Sequence, residues 1–208
     1  MRARPISPEN LVQELATALA DRAGDGRLRV AIDGPSAAHP EELADALVDP
    51  IRLLGHPVLR VSARDFLRPA SLRYERGRED PDSYYEDWLD VDGLRREVLV
   101  PSADDGSGRV LPSLWNSETD RATRAEYVTL PLGGILLVDG TFLLAHGLPF
   151  DFSVHLWLSP AALARRTPEP EKWTLPAHHR YTTEIRPLDL ADLAIRVDQP
   201  QRPALIEA

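Results

Sequence analysis

One acidic strand end and one small-residue turn are the places in this sequence where residue type and spacing suggest chemistry. Val30-Ala31-Ile32-Asp33 is an apolar strand that runs into Gly34-Pro35-Ser36-Ala37-Ala38-His39, and a helix start follows at Pro40-Glu41-Glu42. A glycine-opened turn between a strand and a helix can cradle phosphate, following the pattern G-x-x-x-x-G-K-[ST]. Gly34 fits its first position, but His39, Pro40 and Glu41 stand where the second glycine, the lysine and the hydroxyl belong. Proline offers neither a side-chain donor nor a backbone N–H. Glu41 and Glu42 complement the helix dipole themselves, and at ~4 Å one carboxylate repels a unit anion by about 4 kcal/mol at an effective dielectric of 20. The turn therefore also reads as a plain helix cap. The acidic strand end is Asp139-Gly140, closing the buried run Ile135-Leu136-Leu137-Val138. A carboxylate there can hold Mg²⁺ through water or cap the next turn.

A third set is aromatic and cationic. Tyr74, Arg76, Arg78, Tyr84 and Tyr85 suit stacking on a base or gripping a phosphate, and equally suit a solvated loop face. Arg165, Arg166 and Lys172, the only lysine, are the cations nearest a polar, proline-bearing stretch at 167–187 that reads as a lid. Lys172 could stand in for the missing loop lysine, or simply pair with Glu169 or Glu171. The adjacent His178 and His179 have no spaced partners and predict no metal site.

The elements that must carry these residues alternate. A capped helix opens at Ser7-Pro8-Glu9 and stops at Gly24. Strands are expected near 28–32, 58–63, 135–138, 152–158 and 193–197, and helices near 40–54, 91–100 and 161–166. Pro50 is expected to kink the second helix, the stretch 64–87 to be a long loop, and the tail to be coil. Alternation of this kind predicts an α/β protein with a doubly wound, mainly parallel sheet, in one domain covering 1–208 with the lid at 167–187.

Composition narrows the function. The chain has 208 residues, 43% of them hydrophobic and 27% charged, a globular balance that can bury a full core. It has no cysteine, which removes disulfide scaffolds, thiolate metal sites and cysteine nucleophiles. A net charge of −9 argues against nucleic acid or an acidic membrane as partner. No signal-like or membrane-length apolar stretch is visible, so a cytoplasmic protein is expected. Self-association into a homo-oligomer is compatible with the sequence.

From about Leu28 to Pro200 the chain resembles the uridine kinase-like branch of the P-loop nucleoside kinases. Val30 to Leu47 lines up without gaps on that family's strand, phosphate loop and first helix. Val61-Ser62-Ala63-Arg64-Asp65-Phe66-Leu67-Arg68-Pro69 resembles its second-strand motif D-[DS]-F-[HY]-R-P. Arg73 to Arg78, Asp80 to Tyr85 and Asp87 to Asp90 are similar to its substrate-side segment, and Leu136 to Leu144 to its third strand. The resemblance implies a P-loop NTPase-like fold, ATP and Mg²⁺ as cofactors if the chain is active, and a nucleoside-like acceptor. It implies Gly34, Pro35, Ser36, Ala37, Ala38 and His39 as the nucleotide loop, with Arg64, Tyr74, Arg78 and Tyr84 on the substrate side. The family's general base falls on Arg64, which leaves Asp65 as the nearest carboxylate, with Asp139 as the second catalytic acid. Leu67 replaces the usual His or Tyr. Two readings follow: a nucleoside kinase with unconventional phosphate ligands, or a silent or repurposed homologue that binds a nucleoside-like ligand or a protein partner without using ATP.

Overall fold

The structure, a computed structural model, describes residues 2–207. Seven strands form the main sheet: β1 (Arg2–Pro5), β2 (Leu28–Asp33), β3 (Val58–Ser62), β4 (Ile135–Gly140), β5 (Phe152–Trp157), β6 (Leu193–Arg196) and β7 (Ala204–Glu207). Their order is β1-β7-β6-β5-β2-β4-β3. The strands from β6 to β3 run parallel. At the other edge β7 is antiparallel to both β6 and β1.

Helix α1 (Pro8–Ala23) begins where the Ser7 side chain accepts from Asn10 N–H, with proline in the first turn, and ends at Gly24. Helix α2 (Pro40–Leu53) starts on proline and two glutamates and continues through Pro50 to Leu53. Both helices lie on one face of the sheet, where Leu11, Leu15, Leu19, Leu47 and Ile51 pack with Val30, Ile32, Ile135 and Leu137. The opposite face packs Ala31, Leu136 and Val138 against Phe66, Leu94, Val98 and Leu99.

Because side chains alternate along a strand, this partition also sorts the acids at the strand ends. Asp33 shares the face of Ala31, whereas Asp139 shares the face of Leu137, beside α2. The register pairs Asp33 with Gly140 and with His155, and Asp139 with Ser62. Two successive rows at the carboxyl ends of four strands thus carry Asp33 with His155 and Asp139 with Ser62.

Several expectations are corrected. The tail Ala204–Glu207 is a strand rather than coil, paired with β6 and with Arg2–Pro5, a stretch to which the sequence reading gave no element. The stretch 64–87 holds short helical turns, including α3 (Pro81–Glu86), capped by the Asp80 side chain accepting from Ser83 N–H. The segment read as a lid folds as a 3-10 turn, Glu169–Thr174, continuous with α5 (Leu175–Glu184). It follows α4 (Pro160–Arg166) and is packed down, with Ala177, His178 and Tyr181 buried. Among the described residues no helix is long and apolar enough to cross a membrane.

Candidate active site

The turn after β2 is short, and several of its backbone groups are already bonded. Gly34 N–H donates to Gly140 C=O, Ala38 N–H to Pro35 C=O, and His39 N–H to Ser36 C=O, which winds Ser36–Ala38 into a 3-10 turn. Pro35 and Pro40 have no N–H, so little of the turn's backbone remains to meet an anion. Gly34 is needed for packing: a Cβ there would lie 3.0 Å from Leu156 Cβ and 3.1 Å from Leu156 O. His39 takes φ +57°, the left-handed conformation that favours glycine. Its imidazole lies 3.1 Å from Glu41 and 3.6 Å from Glu42.

The space over this turn is filled from the other side of the site. Tyr84, on α3, brings its phenol to the Ser36 and Thr141 side chains, and burial pushes that phenol's pKa upward. Thr141 in turn donates to Gly34 C=O at 2.9 Å. Glu171, Thr174 and His178 complete the cover, and the gap remaining above Pro35, Ser36 and Ala37 measures about 10 Å³.

What holds the cover down is a buried carboxylate. Asp33 Oδ1 accepts from Leu143 N–H at 2.9 Å, while Oδ2 accepts from Tyr181 Oη at 2.8 Å and contacts His155 Nδ1 at 2.6 Å. Burial, with Asp33 beside it, drives the Tyr181 phenol well above its ordinary range. Phe142, itself at φ +63°, sits amid Tyr84, Tyr85, Tyr181 and His178 with ring centroids 4.9–5.3 Å away. Burial lowers the pKa of His178 to about 4, with Asp33 opposing and His155 assisting.

On the other face Asp139 is met by one protein cation and one hydroxyl. Arg60 Nη2 lies 2.9 Å from Oδ1, and Ser62 Oγ donates to Oδ2 at 3.0 Å. Arg60 Nε is also 3.3 Å from Asp45. The Arg60–Asp139 contact is ionic: Oδ1 is buried and accepts no aligned hydrogen bond. Burial raises the Asp139 pKa against the pull of Arg60, and Glu41 adds to the rise.

Beside these groups lies an open cleft of about 300 Å³, lined among others by Arg64, Leu67, Trp88, Thr141, Glu171 and Trp173. Tyr84, Trp88 and Trp173 form one aromatic wall with centroids 5.0–5.6 Å apart. The Trp88 indole N–H is buried without an acceptor.

Of the residues singled out from sequence, Gly34, Ser36, Arg64, Tyr84 and Asp139 gather at the carboxyl ends of β2, β3 and β4. Asp65 is next to Arg64 but is not among the residues lining the cleft; burial raises its pKa against Arg60 and Arg64. Tyr74 stands behind Trp88, at 5.6 Å, and Arg78 lies over the Tyr74 ring. Arg166 donates to Val197 C=O at 2.8 Å, Arg165 faces elsewhere, and Lys172 pairs with Glu169 at 2.6 Å. His178 is buried while His179 is exposed, so the two rings do not share a site. Sequence reasoning missed Asp33, His155, Tyr181 and Arg60. Asp33 ends a buried strand just as Asp139 does, and that parallel was the available signal; nothing local marks His155.

No protein-family model matches the sequence, and no curated protein matches it. Solved structures do. One described as a possible uridine kinase, from Bacillus stearothermophilus, superposes with a TM-score of 0.74 at 24% identity, over 89% of this chain and 97% of that one. The fold is that of the uridine kinase-like P-loop kinases. A candidate fructose transport system kinase from Silicibacter sp. TM1040 shares this kinase fold with a TM-score of 0.61 at 21% identity, over 86% and 94% of the two chains. D-glycerate 3-kinase from Cryptococcus neoformans var. grubii follows with 0.51 at 14%, over 84% and 80%. The turn that the sequence resemblance matched to a phosphate loop is Gly34–His39, in which Gly34, Pro35 and Ala38 are buried while Ser36 and His39 are exposed.

Proposed function

We propose that this chain is a repurposed P-loop kinase homologue that binds a nucleoside-like small molecule in the aromatic cleft and does not take ATP·Mg²⁺ at the turn after β2. The observation that carries the reading is the gap of about 10 Å³ between Pro35–Ala37 and the side chains of Tyr84, Glu171, Thr174 and His178; of those three turn residues only Ser36 also borders the larger cleft. That volume suits roughly one water molecule and no phosphate. Three further features support it. The amides of Gly34, Ala38 and His39 already donate to backbone carbonyls. Glu41 stands where the Mg²⁺-holding hydroxyl belongs, and Arg60 already neutralises Asp139. The residues present therefore do not fit a triphosphate with its metal. The cleft itself offers a ligand two indole faces, the Glu171 carboxylate, the Arg64 guanidinium and the Thr141 hydroxyl. Those groups match a planar base bearing a hydroxylated sugar.

Separate calorimetric titrations with uridine and with ATP·Mg²⁺ test the reading. Saturable uridine binding, weakened by Trp88→Ala, with no heat from ATP·Mg²⁺ is the expected result. Micromolar ATP·Mg²⁺ affinity abolished by a change at Ser36, or measurable phosphotransfer to uridine, would sink it. Absence of any nucleoside binding would equally remove the ligand half of the proposal.

A further inference from the structure

A second cavity, of about 470 Å³, opens beyond α4 and shares no lining residue with the aromatic cleft. Ser159, Ala162 and Arg165 line it from one stripe of the α4 turn, Arg196 from the end of β6, and Asp198 and Arg202 from the connection to β7. Arg165 and Arg166 point apart because consecutive helical residues are about 100° apart. Arg166 is held by Val197 C=O, and Arg165 is left to this cavity.

Three guanidinium groups against one carboxylate reverse the balance of a chain whose net charge is −9. The single carboxylate is already committed. Asp198 Oδ2 accepts from Arg196 Nε at 2.8 Å and Nη2 at 2.6 Å, and Oδ1 accepts from Ser159 N–H at 2.7 Å. Arg196 also lies over the Trp157 ring, 5.6 Å from its centroid. Its position is thereby fixed while its remaining N–H groups stay available. Arg165 and Arg202 make no side-chain hydrogen bond or ion pair among the described residues. A fixed guanidinium with two uncommitted ones around one hollow is an arrangement for a doubly charged, tetrahedral oxyanion, because each planar fork matches two phosphate oxygens.

We propose that this cavity is a phosphate-dianion site, separate from the nucleoside cleft, taking inorganic phosphate or a small phosphomonoester. Arg196 is the preset member of the site, and Arg165 and Arg202 close on the ligand. The proposal does not depend on the occupant of the aromatic cleft.

Inorganic phosphate and ribose 5-phosphate are titrated separately by calorimetry at about 0.15 M ionic strength, where loosely held counterions are screened. Saturable binding is expected, weakened about tenfold or more by Arg202→Gln or Arg165→Gln, as loss of one charge-assisted fork requires. Both residues are exposed, so the variants should keep the wild-type melting profile, and the cleft variant Trp88→Ala should bind phosphate normally. Ribose 5-phosphate binding about tenfold tighter identifies an organic phosphate as occupant, and equal affinities identify the free ion. No saturable binding of either probe, binding that survives the double Arg165→Gln/Arg202→Gln change, or binding lost in Trp88→Ala would each overturn the assignment.

Discussion

Lowering the pH below about 6.5 should withdraw stability from this fold through one side chain, His178. It is buried against Phe142, with ring centroids 4.9 Å apart, and against Tyr84 at 6.2 Å. Its folded pKa is about 4 against an ordinary value of 6.5, chiefly because burial disfavours the imidazolium. Asp33 pulls the value up and His155 pushes it down, and burial prevails. The folded state therefore holds the neutral ring over a range where the unfolded chain has taken up a proton. Stability from this group is complete above pH 6.5 and is lost as pH falls toward 4. At 1.36 kcal/mol per pH unit the loss approaches roughly 3 kcal/mol, a large share of an ordinary domain's stability. Other groups also titrate in this range, including His146, whose pKa burial lowers too. Urea unfolding of wild type and of His178→Leu, each from pH 7.5 to 4, separates them, since contributions common to both cancel in the difference. Wild type should lose about 3 kcal/mol relative to the variant between the two ends. A difference that stays flat, or an imidazole NMR titration of His178 near pH 6.5, would falsify the reasoning.

Other perturbations test the remaining parts of the site. Tyr181→Phe removes the α5 donor to Asp33 Oδ2 and should cost about 1–3 kcal/mol, with faster amide exchange across residues 175–184 as its signature. Gly34→Ala must displace Leu156 and should destabilise by about 1–3 kcal/mol, read from the thermal midpoint; a neutral result would mean the turn yields more easily than its contacts suggest. Arg60→Met strands the buried Asp139 carboxylate. It should cost roughly 3 kcal/mol at pH 7, and the companion change Asp139→Asn should recover most of that loss in a double-mutant comparison.

The elements themselves were legible because hydrophobic periodicity is a local property. The run Ile135–Val138 and the spacing of Leu43, Leu47 and Ile51 announce a buried strand and an amphipathic helix without reference to anything else. Proline followed by two glutamates marks the start of α2 for the same reason, and the alternating order of elements implied the parallel sheet that the fold has. The edge strand β1 and its neighbour β7 were not legible. Each is a short stretch beside proline; β1 takes its hydrogen bonds from β7, and β7 takes its own from β1 and β6. The motif phrases fall at the sheet's carboxyl end, where Gly34, Arg64, Tyr84 and Asp139 stand. Partnership at that site is another matter. Asp33, His155 and Tyr181 are more than a hundred residues apart at the extremes and meet because β2 and β5 pair in register and α5 folds over them. Strand alternation puts Asp33 and Asp139 on opposite faces, giving one to Tyr181 of α5 and the other to Arg60. Sequence thus determined which groups stand at the strand ends and which loop donors are missing. Tertiary structure alone decided that a tyrosine covers the turn, because the cost of burying its phenol is met by hydroxyls from two other segments.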